Sequence, residues 1–164
     1  MKKTLFWFFL GAVFIQSCDK GLTPPENRIT ISAGVSGTVF FQNWPAPDSL
    51  LDLRLVAFKN FPPDDIFVEL LSGQAFAYPA IDDTFSLPRN VDQLDFQFEL
   101  PPGDYGYLAV AQQFGPNVLA DWRAVGQYDL TPDSLPSPLT VPEGQVVKNI
   151  FIAVDFDHLP IQPF

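Results

Sequence analysis

The stretch Leu94-Asp95-Phe96-Gln97-Phe98-Glu99-Leu100-Pro101-Pro102-Gly103-Asp104-Tyr105 sets the reading of the chain. Leu94, Phe96, Phe98 and Leu100 alternate with Asp95, Gln97 and Glu99. A period of two places the apolar set on one face of a strand and the polar set on the other. Pro101-Pro102-Gly103-Asp104 reads as a turn, because proline presets φ and glycine reaches backbone angles that other residues avoid. Tyr105 to Phe114 is then apolar on both faces around Leu108, Ala109, Val110 and Ala111, the pattern of a central strand covered on both sides. The two runs and the short turn predict a hairpin over 94–114, placed at the centre of the core.

The same alternation recurs on either side. Ile29, Ile31, Ala33, Val35, Val39 and Phe41 are interleaved with Thr30, Ser32, Ser36 and Thr38, with Gly34 and Gly37 marking a bulge or bend. Leu51, Leu53, Leu55 and Ala57 share one face of a second strand, and Asp52 and Arg54 share the other. Pro62-Pro63-Asp64-Asp65 ahead of Ile66, with Gly73 after Ser72, fits one short helix within 64–72; a strand is the alternative. Further strands are expected at Ala75 to Tyr78, Val125 to Tyr128 and Val146 to Phe156, with Leu139 to Val141 and Pro142-Glu143-Gly144 leading into the last, and proline- and glycine-bearing loops between them. The fold class predicted is all-β: a single antiparallel β-sandwich of about seven strands over residues 29–164.

Three pieces carry a resemblance. They are Val35-Ser36-Gly37-Thr38-Val39, Phe98-Glu99-Leu100-Pro101-Pro102-Gly103-Asp104-Tyr105 and Val141-Pro142-Glu143-Gly144-Gln145. Together they resemble the transthyretin-like, or carboxypeptidase-regulatory-like, sandwich, which is Ig-like in outline. The resemblance implies a fold and says little about activity, since its motifs specify turns. Val110-Ala111-Gln112-Gln113-Phe114-Gly115-Pro116-Asn117 and Asp121-Trp122-Arg123 are also similar to stretches of short uncharacterised bacterial lipoproteins, a likeness that brings no function with it.

The N-terminus points the same way. Lys2 and Lys3 precede an apolar run from Leu5 to Ile15, about 11 residues where a membrane-spanning helix needs about 20. That length suits the apolar region of a signal peptide. Ile15-Gln16-Ser17-Cys18 resembles a bacterial lipobox, and Cys18 is the only cysteine. The resemblance implies cleavage before Cys18, with a diacylglycerol on its sulfur and an acyl chain on the new amine. Two or more chains hold a protein firmly where one does so only marginally. The expected division is a signal peptide at 1–17, a flexible tether at 18–28 and the β-domain at 29–164. Nine residues, Asp19 to Asn27, would reach at most about 30 Å. Asp19 resembles an inner-membrane retention signal of enterobacteria, a rule that other bacterial groups do not follow. The expected location is a bacterial cell envelope, outer membrane favoured, with the domain outside the cytoplasm.

Charge and composition exclude several functions. Cleavage would leave 147 residues with seven Lys and Arg against 19 Asp and Glu, a side-chain charge of −12. Nucleic acid and a polybasic lipid grip both need clustered cations, so neither is expected as a partner. With one cysteine there is no intrachain disulfide, and 17 phenylalanines supply large rings for a core.

No catalytic residues are assigned. His158 is the only histidine, and neither Gly-x-Ser-x-Gly nor His-Glu-x-x-His occurs. No cofactor is expected. Asp155, Asp157 and His158 lie close together without the ligand spacing of a calcium loop, so a solvated face is the preferred reading and no metal residues are assigned. Trp44, Trp122, Tyr105, Tyr107 and Tyr128 are rings that could stack on sugars if exposed in a row, and Trp44, Trp122, Arg123 and Tyr128 are the ligand-binding candidates, with a lid over the core edge as the structural alternative for a loop tryptophan. Asp121 and Arg123, two apart on an extended segment, share a face where they pair. The expectation is a non-enzymatic lipid-anchored structural or interaction module; the alternative is an accessory protein binding carbohydrate or peptide. Membrane, through the lipid, is the expected contact, and an envelope protein or a glycan is the partner class left open.

Overall fold

The computed structural model describes residues 31–131 and 133–163; the signal peptide, the lipobox with Cys18 and the tether lie outside them. The elements are β1 (Gly34–Gln42), a 3-10 turn (Pro47–Ser49), β2 (Asp52–Phe58), α1 (Ile66–Ser72), β3 (Ala75–Tyr78), β4 (Gln93–Glu99), β5 (Gly103–Tyr105), β6 (Tyr107–Gln113), β7 (Trp122–Tyr128), β8 (Leu139–Val141) and β9 (Val146–Asp155). Seven strands form one sheet in the order β3-β2-β6-β7-β9-β1-β4, and β5 and β8 form a small second one. The large sheet curls until its two outer strands face each other, nearly closing a barrel around the main core.

The all-β expectation holds; the antiparallel one is corrected. β1 and β9 run parallel, with Val35 opposite Val147 and Gly37 opposite Ile150, so the sheet is mixed. Two steps along β1 span three along β9, so β9 carries the extra residue. Asn149, at φ 62°, takes the left-handed conformation there, which asparagine tolerates better than most residues. The bend expected at Gly37 is therefore real, and its bulged residue lies on the facing strand.

The 94–114 hairpin is a second correction. β4 pairs with β1, β5 with β8, and β6 lies between β2 and β7. Pro101 and Pro102 have no N–H to continue a ladder, so the chain leaves the sheet edge, adds one short strand elsewhere and re-enters at the middle. Both strand readings survive this change. Phe96, Phe98 and Leu100 are buried while Asp95, Gln97 and Glu99 are exposed, and every residue of β6 is buried.

β6 needs cover on two faces, and both are supplied. Leu108 and Val110 point into the barrel with Leu53, Leu55, Val125, Ile152 and Val154. Tyr107, Ala109 and Ala111 point outward into a smaller cluster with Val56, Phe58 and Ala124, over which α1 lays Ile66 and Leu70. The helix reading of 66–72 is upheld by its caps. Asp65 Oδ1 accepts from the Phe67 and Val68 amides, and Gly73, at φ 71°, closes the other end.

Tyr105 packs at the end of the barrel and donates from Oη to Pro101 O at 2.8 Å. Burial pushes its hydroxyl up to about 12 from the usual 10.0 and raises that of Tyr107 as well. A folded-state value above the unfolded one means that the native state holds the proton more tightly. The contribution is complete below about pH 10 and is lost as pH rises to about 12. Urea midpoints should therefore fall over that window, and Tyr105→Phe should make the fall shallower. An unchanged alkaline slope in the variant would refute the assignment.

Candidate functional site: a barrel mouth and an open seam

The four aromatic and basic candidates are not brought into one row. Trp44 follows β1 and lies between the rings of Phe41 and Phe156, with centroids at 4.8 and 4.9 Å. Its Nε1 donates to Val91 O at 3.0 Å. The indole is thus a half-buried lid over one end of the core. Arg123 starts the inner face of β7 near the same end. It donates from Nε to Gln112 Oε1 at 2.9 Å, and its guanidinium stands 5.5 Å from the Phe114 ring centre. Gln112 is fully buried and donates in turn to Ser49 O at 2.7 Å. Trp122, one residue earlier, falls on the outer face, packs beside Ile66 and Leu70 and donates to Val118 O at 2.8 Å. Tyr128 packs on the core at the far end of β7. The expected Asp121–Arg123 pair is not made; Asp121 Oδ2 accepts from the Asn117 amide at 2.8 Å.

Asp155 and His158 form a local surface cluster. Asp155 accepts from Asn43 Nδ2 at 2.8 Å and from the Asp157 amide at 3.0 Å, and His158 Nδ1 lies 3.0 Å from its other oxygen. These contacts, the Asn43 amide foremost, hold the Asp155 carboxyl below its usual range. The cluster ties the end of β9 to the end of β1.

Two surface features escaped the sequence reading. Phe40 on β1 and Phe151 on β9 are both exposed, and their rings stack at 6.4 Å between centroids. Each residue was visible in its alternation; their meeting required the parallel pairing. The larger feature is the seam where the barrel fails to close. Among the described residues β3 is paired only with β2 and β4 only with β1. Between these edges lies a cleft of about 750 Å³. On its inner side the rings of Tyr78 and Phe98 meet at 5.8 Å. Along its outer side stand Asp83, Asp95, Gln97 and Glu99, and none of the residues lining it is basic.

One wall of the seam is held by Arg54. This side chain is buried on the outer face of β2 and bonds Asp52 Oδ2 at 2.7 Å. It also donates to the carbonyls of Pro79, Ala80 and Asp83. A planar guanidinium satisfies several carbonyls in fixed directions, so the loop after β3 is tied to β2. The opposite wall is β4 itself. There Thr38 Oγ1 donates to Asp95 Oδ1 at 2.7 Å and Ser32 Oγ to Glu99 Oε1 at 3.3 Å, orienting both carboxylates on the outer face.

No family model matches the chain, and no curated protein or solved structure matches it.

Proposed function

We infer that the chain is a non-enzymatic, lipid-anchored envelope protein whose β-domain is an interaction module, placed outside the cytoplasm and favoured at the outer membrane. The anchor rests on the apolar run to Ile15 and on Ile15-Gln16-Ser17-Cys18. No helix among the described residues is long and apolar enough to cross a membrane. The interaction reading rests on one observation, the seam, where the two outer strands of the seven-stranded sheet face each other with one edge of each unpaired among the described residues. The non-enzymatic reading rests on the sequence, which has one histidine, His158, and neither Gly-x-Ser-x-Gly nor His-Glu-x-x-His. Of the alternative ligands, peptide is favoured over carbohydrate, because Trp44, Trp122 and Tyr128 occupy separate places. The turn motifs support kinship with transthyretin-like sandwiches. The two layers would then be the β3-β2-β6 and β9-β1-β4 sides of the curled sheet.

Two measurements test this. Cys18→Ala should abolish lipid attachment and leave the protein soluble or unprocessed, read by mass spectrometry of the mature N-terminus and by membrane fractionation. An unmodified cysteine in the wild type, or a cut elsewhere, rejects the anchor. A photo-crosslinking residue at Gln97 in the seam, and another at Phe151 outside it, should give covalent adducts in living cells at one position or both. Adducts at neither would reject the module.

A further inference from the structure

We propose that the seam between β3 and β4 accepts an extended segment of a partner protein, with basic side chains at alternate positions, as an eighth strand of the barrel. The inference rests on the interaction-module reading and adds the chemistry of the partner and the mode of its binding.

Backbone geometry supplies the first argument. An edge strand exposes a row of N–H and C=O groups that can template a further strand. Here two edges face one cleft. Following the pairings around the sheet, β3 and β4 run in opposite directions. An entering strand is therefore antiparallel to one and parallel to the other, as β9 already is to its own neighbours β7 and β1. The more stable antiparallel ladder would go to β4, the longer edge, with seven residues against four in β3. An eight-stranded barrel also has an interior that side chains alone can fill.

Side-chain chemistry supplies the second. Successive residues of a strand point to opposite faces. Inward positions of the entering strand would meet Tyr78, Phe96 and Phe98, and would take apolar side chains. Outward positions would meet Asp83, Asp95 and Glu99, with no basic residue in the lining to neutralise them. Lys or Arg at every second position answers that row. The Arg54 clamp and the Thr38 and Ser32 bonds hold both walls in place before binding, which lowers the ordering cost of association.

The test is direct. The full mature protein in detergent is titrated with a fluorescein-labelled, end-blocked peptide alternating Lys and Val, about eight residues long to match β4. Saturable binding is expected, with amide hydrogen exchange slowed within β3 (75–78) and β4 (93–99). The Asp95→Lys/Glu99→Lys variant, with circular dichroism to confirm its fold, should weaken binding by about tenfold or more. The same peptide N-methylated at alternate residues keeps its charge but loses ladder donors, and should bind no better than a Glu-Val control. Equal binding of the methylated peptide would reduce the effect to non-specific charge and overturn the proposal. So would exchange unchanged at both edges. Edge amides already protected in the free protein would mean that residues 18–30 or a second copy fill the seam, which also rejects a partner strand. If adducts form in cells at Phe151 but not at Gln97 and the peptide fails, the module stands and the seam proposal falls.

Discussion

Gly37→Ala should leave the domain unfolded. Gly37 is opposite the bulge of β9, and an added Cβ would stand 1.8 Å from Ile150 O and 2.8 Å from Ile150 Cα. Those are backbone atoms of the strand that pairs with β1, so no side chain can move aside. Relief requires β1 and β9 to separate where their parallel ladder holds the two sides of the sheet together. A small domain has about 5–15 kcal/mol of stability in total, and overpacking costs about 1–3 kcal/mol even where neighbours can adjust. Circular dichroism with a urea melt would read the outcome. A cooperative melt within about 1 kcal/mol of wild type would show that the strands approach less closely than described.

Phe98→Ala should be the next most damaging change. Phe98 is 2% exposed and points into the barrel from an edge strand, with Tyr78 across the seam. Truncating a buried phenylalanine costs about 3–5 kcal/mol through lost transfer energy and the cavity left behind. Gln97, its neighbour on the outer face, is exposed, and Gln97→Ala should change stability by less than about 1 kcal/mol. Equal urea midpoints for Phe98→Ala and wild type would mean that the faces of β4 are inverted. The pair separates the two sides of one strand, and the position of that strand in the sheet does not enter the result.

Local order was legible in the chain because its causes are local. Alternation at Leu94 to Leu100 gave the two faces of β4, and the apolar run at 107–113 gave a strand buried on both sides. Asp65 and Gly73 bounded a short helix through contacts within a few residues. The lid at Trp44 was among the readings its loop position allowed, and Trp44 closes the core edge in that way. Side-chain period, caps and turn chemistry act over one to four residues, so a sequence displays them openly.

Partner choice was not legible. β1 meets β9 more than a hundred residues later, and nothing in Val35 to Phe41 states whether that neighbour runs parallel or antiparallel. A clean alternation looks alike in an edge strand and a central one facing solvent on one side, which is why β4 read as the centre and lies at the rim. The seam is a product of this non-local level. Asp95 and Glu99 were already visible as a polar face. Only the curl of the sheet sets that face across a cleft from Tyr78 and Asp83. The sequence by itself determined which side of each strand is apolar, because that follows from period alone. The tertiary structure decided which strands touch and which edges stay open, because pairing energy depends on every strand's neighbours at once.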